Sequence, residues 1–167
     1  MKIGIRHAEP EDAEALQAIY TDEALYANTL QLPMPSKTLW RTRLADIPDN
    51  MYVLVAEIEG EVVGNLGLET MISKRRRHVA SFGVSVKAAS QGKGVGRALI
   101  TAALDLADNW LDIRRIEITT YTDNTGGIGL YKSLGFVIEG EMVDYAYRNG
   151  EYINAYQMAR IREAKNG

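Results

Sequence analysis

The chain has 167 residues and is 46% apolar, enough for one domain with a single core. Nineteen basic residues against twenty-two acidic ones leave a net charge of −3, which removes the general attraction expected of a nucleic-acid binder. The lack of cysteine excludes disulfides, thiolate metal sites and a cysteine nucleophile, and no apolar run reaches membrane-spanning length.

A first strand is predicted from Lys2 to His7, and Pro10 then opens a helix running to about Tyr20, since proline suits a first helical turn. Met1 to Leu16 lacks a continuous apolar core and carries Glu9, Glu11, Asp12 and Glu14, so no secretory signal is read and a cytoplasmic location is expected. Asn28 to Ser36, with Pro33 and Pro35, reads as a loop, and Ser36 as the N-cap of a second helix to about Ala45. Met51 to Ile58 and Glu61 to Thr70 form a hairpin across Glu59-Gly60. After the basic run Lys74-Arg75-Arg76-Arg77, His78 to Lys87 continues as a fourth strand of an antiparallel region.

The helix from Gly94 to about Leu111 carries Val95, Leu99, Ala102, Leu106 and Trp110 at spacings of three and four, a stripe that must face a core. Ile116 to Thr122 is read as the fifth strand and Gly126 to Leu134 as a short helix. Phe136 to Tyr147 then pairs with Glu151 to Ile161 across Asn149-Gly150, a strong hairpin signal. The order β-α-α-β-β-β-α-β-α-β-β describes a single α/β domain with a mixed sheet over residues 1–167, without repeats or linkers.

Val84-Ser85-Val86 followed by Gln91-Gly92-Lys93-Gly94-Val95-Gly96-Arg97 reads as a strand passing through a glycine-rich turn into that helix. Glycine removes the Cβ atoms that keep a ligand from the backbone, and a helix start aims unpartnered N–H groups at an anion. The segment is therefore a candidate phosphate cradle. A dinucleotide fingerprint fails because its third glycine falls on Arg97, and a P-loop fails for want of Gly-Lys-Ser/Thr. A strand-to-helix turn that uses glycine for geometry alone is the other reading. Gln91, Gly94 and Gly96 satisfy Q-x-x-G-x-G.

With that spacing the loop resembles the pyrophosphate loop of the GNAT acetyltransferases. A second motif is similar to the family's as well: Asn124 after the fifth strand, then Leu130-Tyr131-Lys132-Ser133-Leu134-Gly135-Phe136 in the pattern L-Y-x-x-x-G-F. The opening Ile5-Arg6-His7-Ala8-Glu9-Pro10-Glu11-Asp12 resembles the family's first strand and turn. Asn28 to Pro33, Asp108 to Leu111 and Tyr145 to Tyr152 resemble the subgroup that acetylates the α-amine of free L-amino acids.

The resemblance implies the GNAT fold: a mixed, mostly antiparallel sheet with splayed central strands and flanking helices. It implies acetyl-CoA as cosubstrate, no metal, and a homodimer. The backbone of Val84, Ser85 and Val86 would pair with the pantetheine arm, with one N–H aimed at the thioester oxygen. Gln91, Gly92, Lys93, Gly94, Val95, Gly96 and Arg97 would hold the pyrophosphate, mainly through N–H groups, with Lys93 and Arg97 as optional charged contacts. Asn124 would touch the cofactor arm, although its residue type also suits a helix N-cap or an Asx turn. Tyr131 would be the general acid, since a phenol of pKa about 10 stays protonated at neutral pH and can donate to a thiolate as it forms.

The family often carries an acid on the fourth strand, where this chain has Ser81. His78, Glu69 and Glu117 are the alternatives for a base, and a water relay is another, because an α-amine has a pKa near 8 and is partly neutral unaided. Thr29, Leu30 and Leu32 on the loop, and Tyr145 and Tyr147 on the hairpin, are the expected substrate contacts. Strand packing alone would also account for the two tyrosines. Arg76, Arg77 and Arg148 are candidates to meet a substrate carboxylate, and the basic run is otherwise a solvated loop. The function expected is N-acetylation of a small amine by acetyl-CoA, with a free amino acid as acceptor. Antibiotic or herbicide detoxification, protein N-terminal acetylation and a non-enzymatic acyl-CoA sensor are the other readings.

Overall fold

The structure is a computed structural model that describes residues 1–163. Seven strands, Ile3–His7 (β1), Met51–Ile58 (β2), Glu61–Thr70 (β3), Val79–Val86 (β4), Arg115–Tyr121 (β5), Val137–Arg148 (β6) and Glu151–Ile161 (β7), follow the hydrogen-bonded order β1-β2-β3-β4-β5-β7-β6. The helices are Ala13–Ile19 (α1), Glu23–Tyr26 (α2), Lys37–Ala45 (α3), Val95–Asn109 (α4) and Thr125–Ser133 (α5). The chain divides into two compact units, residues 1–69 with 83–106, and residues 70–82 with 107 onward.

In the first unit β1 and β2 pair antiparallel from Ile3↔Ile58 to His7↔Leu54, and β2 and β3 pair antiparallel from Met51↔Glu69 to Ile58↔Glu61. The β2–β3 turn places Glu59 at φ 51° and Gly60 at φ 79°, two consecutive left-handed residues whose twist matches that of the flanking strands. Leu16, Ile19, Tyr20, Leu25, Trp40, Leu44 and Val55 form one buried cluster. Ser36 caps α3 by accepting from the Leu39 N–H at 3.0 Å, as its position before the helix predicts. The region after Pro10 is a 3-10 turn, Pro10–Asp12, that leads into α1. Buried Asp12 accepts from Nη1 and Nη2 of Arg6 at 2.8 and 2.9 Å and from the Glu9 N–H at 2.7 Å. The short helix α2 has no counterpart in the sequence reading; Asp22 caps it by accepting from the Ala24 N–H.

In the second unit β5 and β7 pair antiparallel from Arg115↔Ile161 to Tyr121↔Ala155. β6 and β7 form the hairpin predicted across Asn149-Gly150, whose φ values of 50° and 77° again make a left-handed two-residue turn. The registered parallel pairs between β4 and β5 are Val79↔Arg115 and Ala80↔Ile116, both at the start of β4. Phe82, Tyr131 and Phe136 pack as edge-to-face rings with centroids 5.8 to 6.1 Å apart. Such pairs add modest stabilisation beyond their buried area.

One expectation needs correction. Val95 and Leu99 of α4 are buried as expected, but the rest of the buried face is Ile100, Ala103 and Ala107, while Trp110 is 77% exposed. The reason is that the helix ends at Asn109 and the chain reverses, with Asp112 at φ 53° and the Ile113 N–H closing onto the Ala107 carbonyl at 3.0 Å. A residue beyond the last turn no longer follows the helical period.

Candidate active site

The first unit presents the glycine cradle. Val84, Ser85 and Val86 are half-buried on β4, after which a 3-10 turn at Ala88–Ser90 leads to Gln91. Gln91 Nε2 donates to the Val86 carbonyl at 3.1 Å, which ties the turn back to the strand end. Gly92 and Gly94 have φ values of 75° and 85°, and a Cβ added to either would meet no protein atom within 4 Å. Glycine is therefore required there by backbone conformation, and the space beside each position is open to a ligand. The first helical bond of α4 runs from the Ala98 N–H to the Gly94 carbonyl at 3.0 Å, so the N–H groups of Val95 and Gly96 have no carbonyl a turn back in the helix. Val95 is 1% exposed and anchors the helix start, whereas Gln91, Lys93 and Arg97 are exposed beside it. The cradle is built on main chain, with charge at its rim.

Gly64 on β3 supports this strand end. A Cβ there would lie 2.9 Å from the Ser85 carbonyl and 3.3 Å from side-chain atoms of Val95 and Leu99. Gly64→Ala is expected to cost about 1–3 kcal/mol by overpacking and to lower the melting temperature. An unchanged melting temperature would show that the Ser85 backbone is not held where it stands.

A second group in this unit joins the loop to β4. The buried Tyr20 hydroxyl donates to Asn65 Oδ1 at 2.6 Å, and the Ser85 and Gln31 side chains are polar neighbours of the same phenol. Thr29 Oγ1 donates to the Tyr26 carbonyl at 2.9 Å and accepts from the Gln31 N–H at 3.0 Å, so Thr29 shapes the loop. Leu30 and Leu32 are 69% and 81% exposed.

The second unit holds the proposed acid. Tyr131, on α5, is 8% exposed, and its hydroxyl makes no hydrogen bond among the described residues. Burial pushes its pKa up to about 12. Asn124 adopts the capping role that its residue type suggested: Oδ1 accepts from the Gly127 N–H at 3.3 Å and Nδ2 donates to Thr120 Oγ1 at 3.1 Å. Tyr145 stands 6.3 Å from the Tyr121 ring, and Tyr147 packs against Tyr152 at 5.1 Å with two thirds of its surface exposed.

Several charged candidates are committed elsewhere. Arg76 donates to Glu117 at 2.7 Å, and Arg148 pairs with Asp123 while its guanidinium lies 5.2 Å over the Tyr121 ring. Both already have carboxylate partners. Burial pushes the Glu117 carboxyl up, but hydrogen bonds from Arg76 and Arg115 outweigh it and hold the group below its ordinary value. A carboxylate so stabilised is a weak base at neutral pH. His78 is exposed, and its backbone carbonyl accepts from the Arg114 and Arg115 N–H groups at 2.9 and 3.0 Å. Glu69 and Arg77 are exposed, and Ser81 is half-buried on β4.

Sequence reasoning did not single out Tyr20 or Asn65. Asn65 was detectable in principle, as the one polar residue in the apolar run Val62-Val63-Gly64-Asn65-Leu66-Gly67-Leu68.

A strand running into a glycine turn at a helix start, with open space beside Gly92 and Gly94, is an arrangement that suits an anion held on main-chain donors. The chain belongs to the GNAT acetyltransferases: the family's acetyltransferase (GNAT) domain model matches residues 5–156, through both units. It is 47% identical over 161 residues, 96% of this chain and 99% of the relative, to the L-amino acid N-acetyltransferase AaaT of Escherichia coli (strain K12). A spermidine N(1)-acetyltransferase from the same organism is 31% identical over 104 residues, covering 62% of this chain and 55% of the relative. The fold is that of yncA from Salmonella typhimurium, whose structure was solved with its cofactor acetyl-CoA (TM-score 0.83, 24% identity, 100% of this chain and 98% of that one). The protein is an acetyl-CoA-dependent N-acetyltransferase of small amines, and the open cradle at Gly92 and Gly94 fits the cosubstrate's pyrophosphate.

Proposed function

We propose that the acceptor is the α-amine of a free L-amino acid with an apolar side chain. The observation that carries this reading is the reach of the match to the E. coli amino acid acetyltransferase, 96% of this chain, against 62% for the spermidine enzyme. The loop itself supports it. Residues 27–36 contain no acidic side chain and expose Leu30, Leu32 and Met34, a surface suited to apolar groups rather than to a polycation.

Acetyl-CoA supplies the activated acetyl group as a thioester. The N–H groups of Gln91 to Gly96 hold the pyrophosphate, with Lys93 and Arg97 at the rim. Val84, Ser85 and Val86 offer a strand edge to the pantetheine, and one of their N–H groups stabilises charge on the thioester oxygen. Tyr131 gives its proton to the departing thiolate, and Asn124 both caps α5 and touches the cofactor arm. Thr29, Leu30, Leu32, Tyr145 and Tyr147 contact the acceptor. No side chain acts as the essential base, because Ser81 stands where an acid is expected and Glu117 is neutralised by two arginines. Water relays the amine's proton instead.

The chain 1–167 acts as one catalytic domain, although its last four positions lie outside the described residues. It works in the cytoplasm as a homodimer. No helix among the described residues is long and apolar enough to cross a membrane. β6 ends the strand order and exposes Val137, Val143 and Tyr147, an edge of the kind that natural proteins cover.

The test compares kcat/KM for a free apolar amino acid, its carboxamide and spermidine. The free acid is expected to be the best acceptor, since a site built to pair a carboxylate rejects the analogue that lacks one. A better rate with spermidine or the carboxamide would overturn the amino-acid reading and leave the acetyltransferase assignment intact.

A further inference from the structure

We propose that Arg43 is the cation that receives the substrate's carboxylate, held for that purpose by Trp40 and Gln31. This deepens the amino-acid reading above and rests on it.

Arg43 lies in the last turn of α3. Its guanidinium carbon sits 5.0 Å over the Trp40 ring, and Nη1 donates to Gln31 Oε1 at 3.1 Å. Its partners are an aromatic face and a neutral amide, so no carboxylate among the described residues neutralises it. Arg6, Arg41, Arg76, Arg115, Arg148, Arg160 and Arg162 differ, each pairing with an acidic side chain. A guanidinium seated over a ring face keeps donors free at its edge, which suits capture of a carboxylate.

The support for that ring is rigid. Trp40 stacks on Tyr20 with centroids 4.9 Å apart and planes 9° from parallel. Its buried indole N–H has no acceptor among the described residues, so stacking, not its polar edge, fixes the ring. Tyr20 then brings this group beside β4, since its hydroxyl donates to Asn65 on β3 and has the Ser85 and Gln31 side chains as polar neighbours. Gln31 accepts from Arg43 and is a polar neighbour of Tyr20. Ser85 belongs to the strand edge proposed to carry the thioester. An amino acid's carboxylate is one carbon from its amine, so a cation that reads it must stand close to that edge. Arg43 and Ser85 are both neighbours of the Tyr20 phenol, within one unit.

The experiment measures the ratio of kcat/KM for a free apolar amino acid to that for its carboxamide, which does not depend on the fraction of active protein. Arg43→Gln should lower the ratio about 10- to 100-fold, the scale of one charge-assisted interaction, with the loss in KM for the acid. Arg43→Lys should recover part of it. Arg41→Gln, on the same helix and paired with exposed Glu14, should leave it within about 2-fold, as expected of a surface ion pair. A wild-type enzyme that prefers the acid, with a folded Arg43→Gln variant of unchanged ratio, overturns this assignment alone. A wild-type enzyme that prefers the carboxamide overturns it together with the amino-acid reading.

Discussion

Gly94→Val is expected to weaken acetyl-CoA binding more than about 100-fold while Lys93→Ala weakens it only a few-fold. Gly94 sits at φ 85°, where a β-branched residue is strained by about 1–3 kcal/mol, so the loop would refold away from its present path. If the loop kept its path, the valine side chain would project into space that no protein atom occupies within 4 Å, the space proposed for the pyrophosphate. Either outcome removes main-chain donors from the anion. Lys93 is exposed at the rim, and one solvated charge contributes less than a set of oriented N–H groups. Calorimetry on both variants distinguishes the two sources. The reverse order of losses would mean that charge, not backbone approach, carries the affinity.

Tyr131→Phe should reduce turnover by about 10²- to 10⁴-fold, the usual worth of general acid catalysis, with acetyl-CoA affinity nearly unchanged. The substitution removes one hydroxyl that has no hydrogen-bond partner among the described residues, so the fold loses no internal bond. pH adds a second check. Burial raises this phenol to about 12. In the window between its ordinary value of about 10 and that raised value, the folded protein keeps a proton that the unfolded chain has lost. The contribution of this group to stability is thus complete below about 10 and falls as the pH rises through the window. The phenol therefore keeps its proton across the neutral assay range. A Tyr131→Phe enzyme with full turnover under conditions where chemistry limits the rate would remove Tyr131 from the role.

Several features of the fold were legible residue by residue because their signals are local. Glu59-Gly60 and Asn149-Gly150 each need two consecutive left-handed residues, and glycine in the second place favours that conformation. Ser36 caps a helix through an N–H three residues away. Gly92 and Gly94 carry positive φ at a helix start, which makes a cradle identifiable from spacing. Asn124 behaves likewise, since its cap partner Gly127 is three residues on.

The sequence by itself therefore determined the order of the seven strands and of every helix but α2, both two-residue hairpins, the glycine turn at the start of α4 and, through two spaced motifs, the family. The tertiary structure decided which charges are spent and which are available. Arg76 meets Glu117 across 41 positions, Arg148 meets Asp123 across 25, and the Tyr20 hydroxyl finds Asn65 across 45. It likewise decided that Trp110 faces solvent and that Arg43 rests on Trp40 without a carboxylate partner among the described residues. The physical reason is one of range. Turn conformations, caps and helical spacing depend on dihedral angles and hydrogen bonds within a few residues, whereas ion pairing and burial depend on which distant segments the packed chain brings into contact.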